Sequence, residues 1–309
     1  MEHAATCYRE YRPSAALREW VRAYFTFVPA KWGAAHAGTA AGFEGELTRE
    51  DVFAVGESFC SPLFADGHAS IVFSFPQMCR AGGVWQTSGA GPRGDVIGPM
   101  TGVGDNSLDE RPEMVGVFLR ASAITRLLGV AACELTDQVI PIETLWGPPA
   151  AMVADHLAEV RGEWARLEYL DSVLLGRIGE PRRWSRSVDA IGLAECVWRQ
   201  GGRMSTQQMA DAAGTSRQHL TRLFREVVGV SPKLYGRLAR FHSTLRNMRP
   251  EERKPWAEAA LEMGYADQSH MIREFRHFSS LTPEELRSGK WFHPFIGREL
   301  ASRRNLATL

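Results

Sequence analysis

The spacing of the apolar residues changes character along the chain. Over roughly the first 145 residues, short runs alternate apolar and polar positions, as at Ile71, Phe73 and Phe75, and this period of two is typical of half-buried strands. From Pro148 onward the apolar residues recur every three or four positions, the period of an amphipathic helix. The pattern predicts an α+β first domain, rich in strands with a few helices, and an all-helical second domain.

Within the first domain, the pattern predicts a short helix and then a strand over residues 15–27, and a helix over 121–128 that ends at Gly129. The other strands are expected over residues 52–59, 68–75, 96–97 and 114–119. Residues 30–45 and 81–92 are rich in glycine and are interpreted as loops. The pattern does not decide whether these strands close into a barrel or form an open sheet.

One long apolar stripe is predicted on a helix over residues 148–179. Its members are spaced alternately four and three positions apart: Val153, Leu157, Val160, Trp164, Leu167, Leu174 and Ile178. Asp171 interrupts the series. Such a stripe is compatible with a two-helix dimer seam and equally with a helix packed on its own domain. Residues 180–186, which carry a proline and several arginines, are interpreted as a linker.

The helical part contains one arrangement twice, a short helix, a tight turn and a second helix. Shifting the second copy back by 51 residues aligns several identical residues: His270 with His219, Arg273 with Arg222, Phe275 with Phe224 and Arg276 with Arg225. Each copy closes on a Ser/Thr-Pro pair, and a helix over residues 233–248 joins the copies. Two such units in one domain predict a protein that contacts a DNA duplex at two places.

Local signals place the second helix of each unit. Ser205 and Gln208 have the spacing of a capping box, which opens the first short helix. Gly214 provides the turn, and Ser216 is placed to cap the following helix, which ends near residue 228. In the second unit Gly264 lies in the turn and Asp267 is placed to cap a helix over residues 268–278.

Polar residues are predicted on the outer faces of these two helices. In the first unit they are Arg217, Gln218, Thr221, Arg222 and Arg225; in the second they are Gln268, Ser269, His270, Arg273 and Arg276. Arginine can bond guanine with two hydrogen bonds, glutamine can bond adenine, and threonine can contact the thymine methyl group. The side chains therefore match the chemistry of major-groove recognition.

The net charge of zero conceals an asymmetry between the two parts. Residues 182–309 hold 22 Lys and Arg against 13 Asp and Glu, whereas residues 1–181 hold 14 against 23. The second part thus carries a charge of +9 and the first of −9. A basic domain joined to an acidic one is consistent with double-stranded DNA as the partner of the helical part.

Several other classes of function find little support in the sequence. There is no apolar run of membrane-spanning length and no secretion signal, so a cytoplasmic protein is expected. The five cysteines are scattered and form no C-x-x-C pair, which predicts small buried residues rather than a zinc or disulfide framework. His68 has no second ligand at metal spacing, and no phosphate-binding loop or nucleophile elbow occurs. We therefore expect no cofactor, no metal and no catalytic residue; the alternative is an enzymatic or ligand-binding module in the first 150 residues, tethered to DNA.

At two segments the chain resembles the AraC-type transcriptional regulators. GYADQSHMIREFRHFSSLTPEELR is similar to the family signature, and SRQHLTRLFREVVGVSPKLY to the matching part of the first unit. The resemblance implies two recognition helices entering successive major-groove segments, about 34 Å apart. It implies base contacts from Gln218, Thr221 and Arg222, and from Gln268, Ser269 and Arg273. Phosphate contacts are expected from Arg217, Arg225, Lys233, Arg240, His270 and Arg276. Met271, where the family often has an aromatic, and Ser280, where it usually has glycine, depart from the pattern.

The first part is similar to an uncharacterised domain found attached to such DNA-binding domains, through YRPSAALREWVRAYF, an ADG turn and GVFLRASAITRLLGVAACELTDQVIPIETLWG. In the wider family this part senses a small-molecule effector or mediates dimerisation, and both roles stay open here, as does a contact with RNA polymerase. We expect a regulatory domain over residues 1–147, a helix over 148–179, a linker over 180–186, a DNA-binding domain over 187–290 and a tail over 291–309.

Overall fold

The structure, a computed structural model, describes most of the chain. The described residues are 6–28, 49–55, 64–75, 77–81, 84–88, 91–103, 113–179, 188–248 and 254–287. The expected linker (180–186), tail (291–309) and loop (30–45) lie outside them. The described chain forms an N-terminal domain built on an antiparallel sheet and a C-terminal domain made of helices, as the change of apolar period predicted.

Seven strands form the main sheet of the N-terminal domain. They are β1 (Thr6–Tyr11), β2 (Val21–Val28), β3 (Arg49–Val55), β4 (Ser70–Phe75), β7 (Arg93–Ile97), β8 (Glu113–Leu119) and β9 (Val139–Pro141). Their order is β3-β1-β2-β8-β4-β7-β9, and every neighbouring pair is antiparallel. Among the described residues, β3 and β9 are two separate edges, so the sheet is open rather than a closed barrel.

A separate hairpin corrects one prediction. Strands β5 (Gln77–Ala81) and β6 (Val84–Ser88) pair antiparallel, with Arg80 opposite Trp85. The glycines of residues 81–92 predict a loop, which is wrong for Val84–Ser88. The β-forming run Val-Trp-Gln-Thr after a Gly-Gly pair is in fact a hairpin signature, which outweighs the glycine content of the segment.

The N-terminal core lies between one face of the sheet and a layer of helices. Ile71, Phe73 and Phe75 on β4 point into this core, and Val72 packs on the opposite face, so the predicted alternation is confirmed. The helices are α1 (Ala121–Ala123), continued by a π-helical turn over Ile124–Leu128, then α2 (Ala132–Leu135), α3 (Glu143–Trp146), α4 (Pro149–Glu159) and α5 (Glu163–Gly179). The π-helical turn ends at Gly129, whose φ of 79° is left-handed, as expected of a helix C-cap.

The long helix predicted over residues 148–179 is two helices, α4 and α5. The chain breaks between them at Gly162, which adopts a φ of +97° that favours glycine. The apolar stripe runs through both helices into the core of its own domain, with Leu157, Leu167 and Leu174 fully buried. Asp171, which interrupts the stripe, also points inward and accepts a 2.8 Å hydrogen bond from the Tyr24 hydroxyl. These side chains are therefore occupied within one chain, and a homodimer stays a prediction.

Seven helices make up the described part of the C-terminal domain. They are α6 (Val188–Arg199), α7 (Thr206–Ala212), α8 (Arg217–Val228), α9 (Pro232–Asn247), α10 (Trp256–Glu262), α11 (Gln268–Ser279) and α12 (Pro283–Arg287). One apolar cluster surrounds Phe224 in the first unit and a second surrounds Phe275 in the other. Helix α9 contributes Ala239 to the first cluster and Phe241 to the second, so it forms the spine between the two units.

The segment Phe64–His68 of the N-terminal domain packs into the C-terminal domain. Phe64 and Ala65 belong to the buried cluster of the second unit, and the amide of Ala65 donates to the carbonyl of Phe278 at 2.9 Å. Nε2 of His242 on α9 lies 2.9 Å from the carbonyl oxygen of Ala65. Because a carbonyl oxygen only accepts, this nitrogen carries the proton. The two domains thus share a buried polar and apolar contact.

His242 makes an acid-sensitive contribution to the stability of this contact. Burial, together with the positive charges of Arg22 and Arg246, lowers the pKa of His242 to about 3. The unfolded chain takes up this proton near the ordinary pKa of 6.5, so His242 contributes stability that is present above pH 6.5 and lost as the pH falls towards 3. Asp66 acts in the opposite direction between about pH 4 and 7, because burial raises its pKa to about 7.

The histidine contribution is isolated by comparing the wild type with His242→Gln, which keeps a donor for the Ala65 carbonyl. When the pH falls from 6.5 to 4.5, the free energy of unfolding of the wild type should decrease by about 2–3 kcal/mol more than that of the variant. Urea denaturation at several pH values checks this, with His219→Gln as the control because His219 is exposed. Parallel pH profiles for wild type and His242→Gln would contradict the expectation.

Candidate nucleic-acid interface

The first helix-turn-helix unit consists of α7, a turn at Gly214 and α8. Ser205 and Gln208 form the predicted capping box, with the Gln208 amide 3.2 Å from the Ser205 hydroxyl and the Ser205 amide 2.9 Å from the Gln208 side chain. Gly214 has a φ of +59°, which an L side chain rarely adopts. The Ser216 hydroxyl accepts from the amide of His219 at 3.2 Å and caps α8. These local interactions fix where the recognition helix begins.

Helix α8 buries one face and exposes the predicted DNA-binding face. Leu220, Phe224 and Val227 are buried. The predicted contact residues of this unit lie on the other side, where Arg217, Gln218, Arg222 and Arg225 are exposed and Thr221 is half-buried. The Thr221 hydroxyl donates to the carbonyl of Arg217 at 2.8 Å, and the Arg222 guanidinium lies 3.0 Å from Nδ1 of His219. Three cations and two polar groups thus share one accessible surface.

The second unit repeats this arrangement with one extra residue in its turn. In the first unit the amide of Thr215 bonds the carbonyl of Ala210, and in the second the amide of Tyr265 bonds the carbonyl of Ala260. These equivalent positions are 50 residues apart, whereas the caps of the recognition helices, Ser216 and Asp267, are 51 apart. The single 51-residue offset inferred from the sequence is therefore wrong for the first helix of the unit, and Ala266 is the inserted residue.

Helix α11 presents the second set of predicted contacts. The Asp267 carboxylate accepts from the amide of His270 at 2.7 Å and caps the helix. Ser269, Arg273 and Arg276 are exposed and Gln268 is half-buried, while Met271, Phe275 and Phe278 face the core. Ser280 adopts a φ of 61°, the left-handed conformation that Gly229 adopts after α8. Its departure from the family's usual glycine therefore leaves the end of the recognition helix unchanged.

His270 is placed to support the turn of the second unit. Its Nδ1 accepts from the amide of Ala266 at 3.3 Å, so in the neutral ring the proton lies on Nε2, which points at a Glu274 carboxylate oxygen 3.3 Å away. The same oxygen accepts from Nε of Arg237 on α9 at 2.6 Å. Sequence reasoning missed Glu274; the four-residue spacing from His270 was the one available signal. The expected phosphate contact of His270 stays a prediction.

The basic residues of α9 differ in how they are used. Lys233 is exposed beside the start of the helix. Arg240 donates to the carbonyl of Gly202 at 3.1 Å, and its guanidinium lies over the ring of Tyr265 at 5.5 Å. These contacts tie α9 to both units, and phosphate binding by Lys233 and Arg240 stays a prediction.

Helix α2 of the N-terminal domain lies beside the first recognition helix. The Thr136 hydroxyl, just after α2, donates to the carbonyl of Gly229 at 2.9 Å. Between α2 and α8 runs a groove of about 450 Å³. It is lined by Ala131, Cys133, Gln218, Thr221, Arg222, Arg225 and Glu226. The predicted base-reading side chains of the first unit therefore face a space bounded on one side by the N-terminal domain.

The described ranges carry neither a cluster of His, Cys, Asp and Glu that could hold a metal ion nor a helix that is long and apolar enough to cross a bilayer. The ring centroids of His68 and Trp198 lie 4.5 Å apart, where the N-terminal and C-terminal domains meet. The expectation that the cysteines are buried is wrong for Cys133, which is exposed on α2, and Cys196 is half-buried.

Two family models match the chain, one in each domain. Residues 209–289 match a model described as "Helix-turn-helix domain", and residues 44–141 match one described as "Domain of unknown function (DUF6597)". No curated protein matches the chain significantly. The C-terminal domain is thus a helix-turn-helix domain, and the N-terminal match brings no assigned role.

Solved structures with a similar chain path include two bacterial proteins. The C-terminal domain of AraT, a response regulator from Geobacillus stearothermophilus, is 16% identical and has a TM-score of 0.31, covering 36% of this chain and 93% of its own. ToxT from Vibrio cholerae O395 is 13% identical with a TM-score of 0.37, covering 74% and 92%. Wild-type ToxT from strain SCE256 with a bound unsaturated fatty acid is 15% identical with a TM-score of 0.38, covering 75% and 92%. At these scores the likenesses assign no role to individual residues.

Proposed function

We propose that this chain, which carries an AraC-type helix-turn-helix domain at its C-terminus, is a sequence-specific transcription regulator that reads two successive major-groove segments. The observation that carries the proposal is the pair of capped recognition helices, α8 and α11, each with a buried apolar face and an exposed face of arginine and small polar groups. Helix α9 packs against both units, so it can hold them at a fixed spacing along one duplex.

The polar side chains on these two faces divide into two roles. Gln218, Thr221 and Arg222 would read base edges in the first segment, and Gln268, Ser269 and Arg273 in the second, since their hydrogen-bonding groups match those of base pairs. The exposed cations Arg217, Arg225, Lys233 and Arg276 would contact phosphates, which fixes the register without reading sequence. The +9 charge of residues 182–309 favours the approach of DNA to this domain.

The N-terminal domain would regulate this activity. Its direct contacts with the DNA-binding domain, at Thr136 and along Phe64–His68, support such a role because a change in its shape would reach the recognition helices. A small-molecule effector or dimerisation would supply that change, and contact with RNA polymerase would convert DNA occupancy into transcription.

The first experiment is a selection of bound fragments from genomic DNA, using purified full-length protein at fixed salt concentration. A motif with two blocks about one helical turn apart would support two-segment reading, and a doubled motif would indicate a dimer. Binding that is sensitive to salt but selects no motif would contradict sequence-specific reading by the protein alone.

Substitution of Arg222 tests the assigned base contact. Arg222→Ala should weaken binding to the selected duplex by about 1–3 kcal/mol and relax the preference at one base pair of one block. Lys233→Ala should instead weaken binding to all sequences alike and reduce the slope of log affinity against log salt by about one. Titrations of each variant against consensus and single-substitution duplexes distinguish these outcomes, with the exposed Arg161→Ala in the N-terminal domain as the control. Equal, sequence-independent losses for Arg222→Ala and Lys233→Ala would refute the two roles.

A further inference from the structure

Both recognition helices end against hydrogen-bond donors from the N-terminal domain. The carbonyl of Gly229, the C-cap of α8, accepts from the Thr136 hydroxyl at 2.9 Å. The carbonyl of Phe278, in the last turn of α11, accepts from the amide of Ala65 at 2.9 Å. The last carbonyls of a helix have no partner within the helix, so the N-terminal domain satisfies one at each recognition helix.

At the second helix the contact extends into the core. Phe64 is 2% exposed and lies in one buried cluster with Phe241 of α9 and with Phe275 and Phe278 of α11. Its ring meets that of Phe241 edge-on, with centroids 6.2 Å apart. A side chain from the N-terminal domain therefore completes the core between α9 and α11, on which the orientation of α11 depends.

The rest of the segment is held on both sides. The amide of Gly67 donates to the carbonyl of Met100 in the N-terminal domain at 3.2 Å. On its other side Gly67 lies against α9, so closely that an added Cβ would come within 2.9 Å of the Leu238 side chain. Its φ of +65° also favours glycine. The segment is thus a short, fixed connection between the sheet domain and the second recognition unit.

We propose that Phe64 and Ala65 are positioning residues for DNA reading: they belong to the N-terminal domain but set the orientation of the second recognition helix. The inference rests on the proposed function, since it names the residues through which the N-terminal domain acts on that same DNA-binding surface. A displacement of the segment that precedes β4 would be transmitted to α11 directly, and to α8 only indirectly, through α9 and through Trp198 of α6. The second block of the DNA site would therefore be the one that this segment controls.

The first test uses Phe64→Ala in the full-length chain, with duplexes that carry single substitutions in either block of the selected motif. In the wild type, a substitution at a contacted base pair is expected to weaken binding about tenfold in either block. In Phe64→Ala the factor in the second block should fall to about threefold or less, while the factor in the first block stays near tenfold. Phe118→Ala is the matched control, because it removes the same side chain from a buried cluster within the N-terminal sheet.

A merely structural role for Phe64 makes a different prediction. In that case Phe64→Ala would lower the affinity equally for all duplexes and leave both discrimination factors unchanged. That outcome would overturn the inference. If Phe64→Ala does not fold, as judged by circular dichroism, Gly67→Ala strains the segment through its left-handed φ of +65° and its contact with Leu238, and should give the same loss in the second block. Discrimination factors that match the wild type in a folded Gly67→Ala protein would also overturn it.

Hydrogen exchange of the wild-type protein provides a readout that does not depend on DNA. If residues 64–65 belong to the second unit, the Ala65 amide should exchange with the same free energy and denaturant dependence as amides in the last turn of α11. Exchange of Ala65 together with β4, at a free energy different from that of α11, would contradict the inference. Should the wild type select no DNA motif, the proposed function fails and this measurement alone decides whether the segment is part of the second unit.

Discussion

Replacing Gly202 by alanine should destabilise the C-terminal domain by more than about 4 kcal/mol, a loss reached only by severe steric or burial defects. Gly202 lies between α6 and α7 with a φ of +66°, and an added Cβ would come within 1.8 Å of the carbonyl oxygen of Gly236 on α9. Because that neighbour is helix backbone, no side-chain rotation relieves the overlap. The turn would have to move away from α9, and the carbonyl of Gly202 would then lose its hydrogen bond from Arg240.

Gly214→Ala is the matched control, since it shares the left-handed backbone but not the close approach. Gly214 has a φ of +59°, and an added Cβ would have no heavy atom of the described residues within 4 Å. Its substitution should cost only the strain of a left-handed alanine, about 1–2 kcal/mol. Urea denaturation of the two variants separates backbone strain from steric overlap. Losses of equal size would show that the approach of the turn to α9 does not limit stability.

The same pair of variants separates folding from DNA reading. Gly202 lies where the first unit joins the spine helix α9, so its substitution should remove binding to both blocks of the selected motif. Gly214 lies in the turn of the first unit alone, and its substitution should leave the second block readable. We expect the larger loss of DNA binding for the Gly202 variant, because Gly202 lies against α9, which packs on both units. An added Cβ at Gly214 would meet no other element of the described chain.

The parts of the fold that the sequence predicted are those governed by neighbours in the chain. Ser205, Ser216 and Asp267 each cap a helix by bonding an amide three residues ahead, so spacing alone locates them. The alternation at Ile71, Phe73 and Phe75 likewise needs no distant partner to be recognised.

Two kinds of feature could not be predicted from the sequence. Some depend on contacts between residues far apart in the chain, and others are hidden because the apolar pattern continues through them. The break at Gly162 is hidden because Val160 and Trp164, on either side of it, both fit the apolar stripe. Phe64 packs against Phe241, and Ala65 bonds the carbonyl of Phe278; no local pattern links residues so far apart in the chain. The one-residue difference in the turn is concealed because the more conspicuous matches all lie in the recognition helices.

Glu274 gives the second large expected effect, since it places a carboxylate where the first unit has Leu223. It is 3% exposed, and its Oε1 accepts from Nε of Arg237 at 2.6 Å. Glu274→Ala should lower the free energy of unfolding by about 3 kcal/mol, at the low end of the range for breaking a buried ion pair. The low end applies because the side chain of Arg237 is 34% exposed, so its charge can regain some contact with water.

A double replacement separates the cost of an unpaired charge from the value of the pair. Glu274→Leu alone should be destabilising, because it leaves Arg237 facing an apolar neighbour. Glu274→Leu combined with Arg237→Leu should have a free energy of unfolding within about 1 kcal/mol of the wild type, because buried ion pairs are often replaceable by apolar residues. Urea denaturation of both proteins measures this, and a fully stable Glu274→Leu single variant would show that the pair is not coupled. If the double variant is stable but discriminates poorly among substitutions in the second DNA block, the ion pair orients α11 on α9 rather than stabilising it. That result would place Glu274 and Arg237 beside Phe64 as determinants of how the second recognition helix meets DNA.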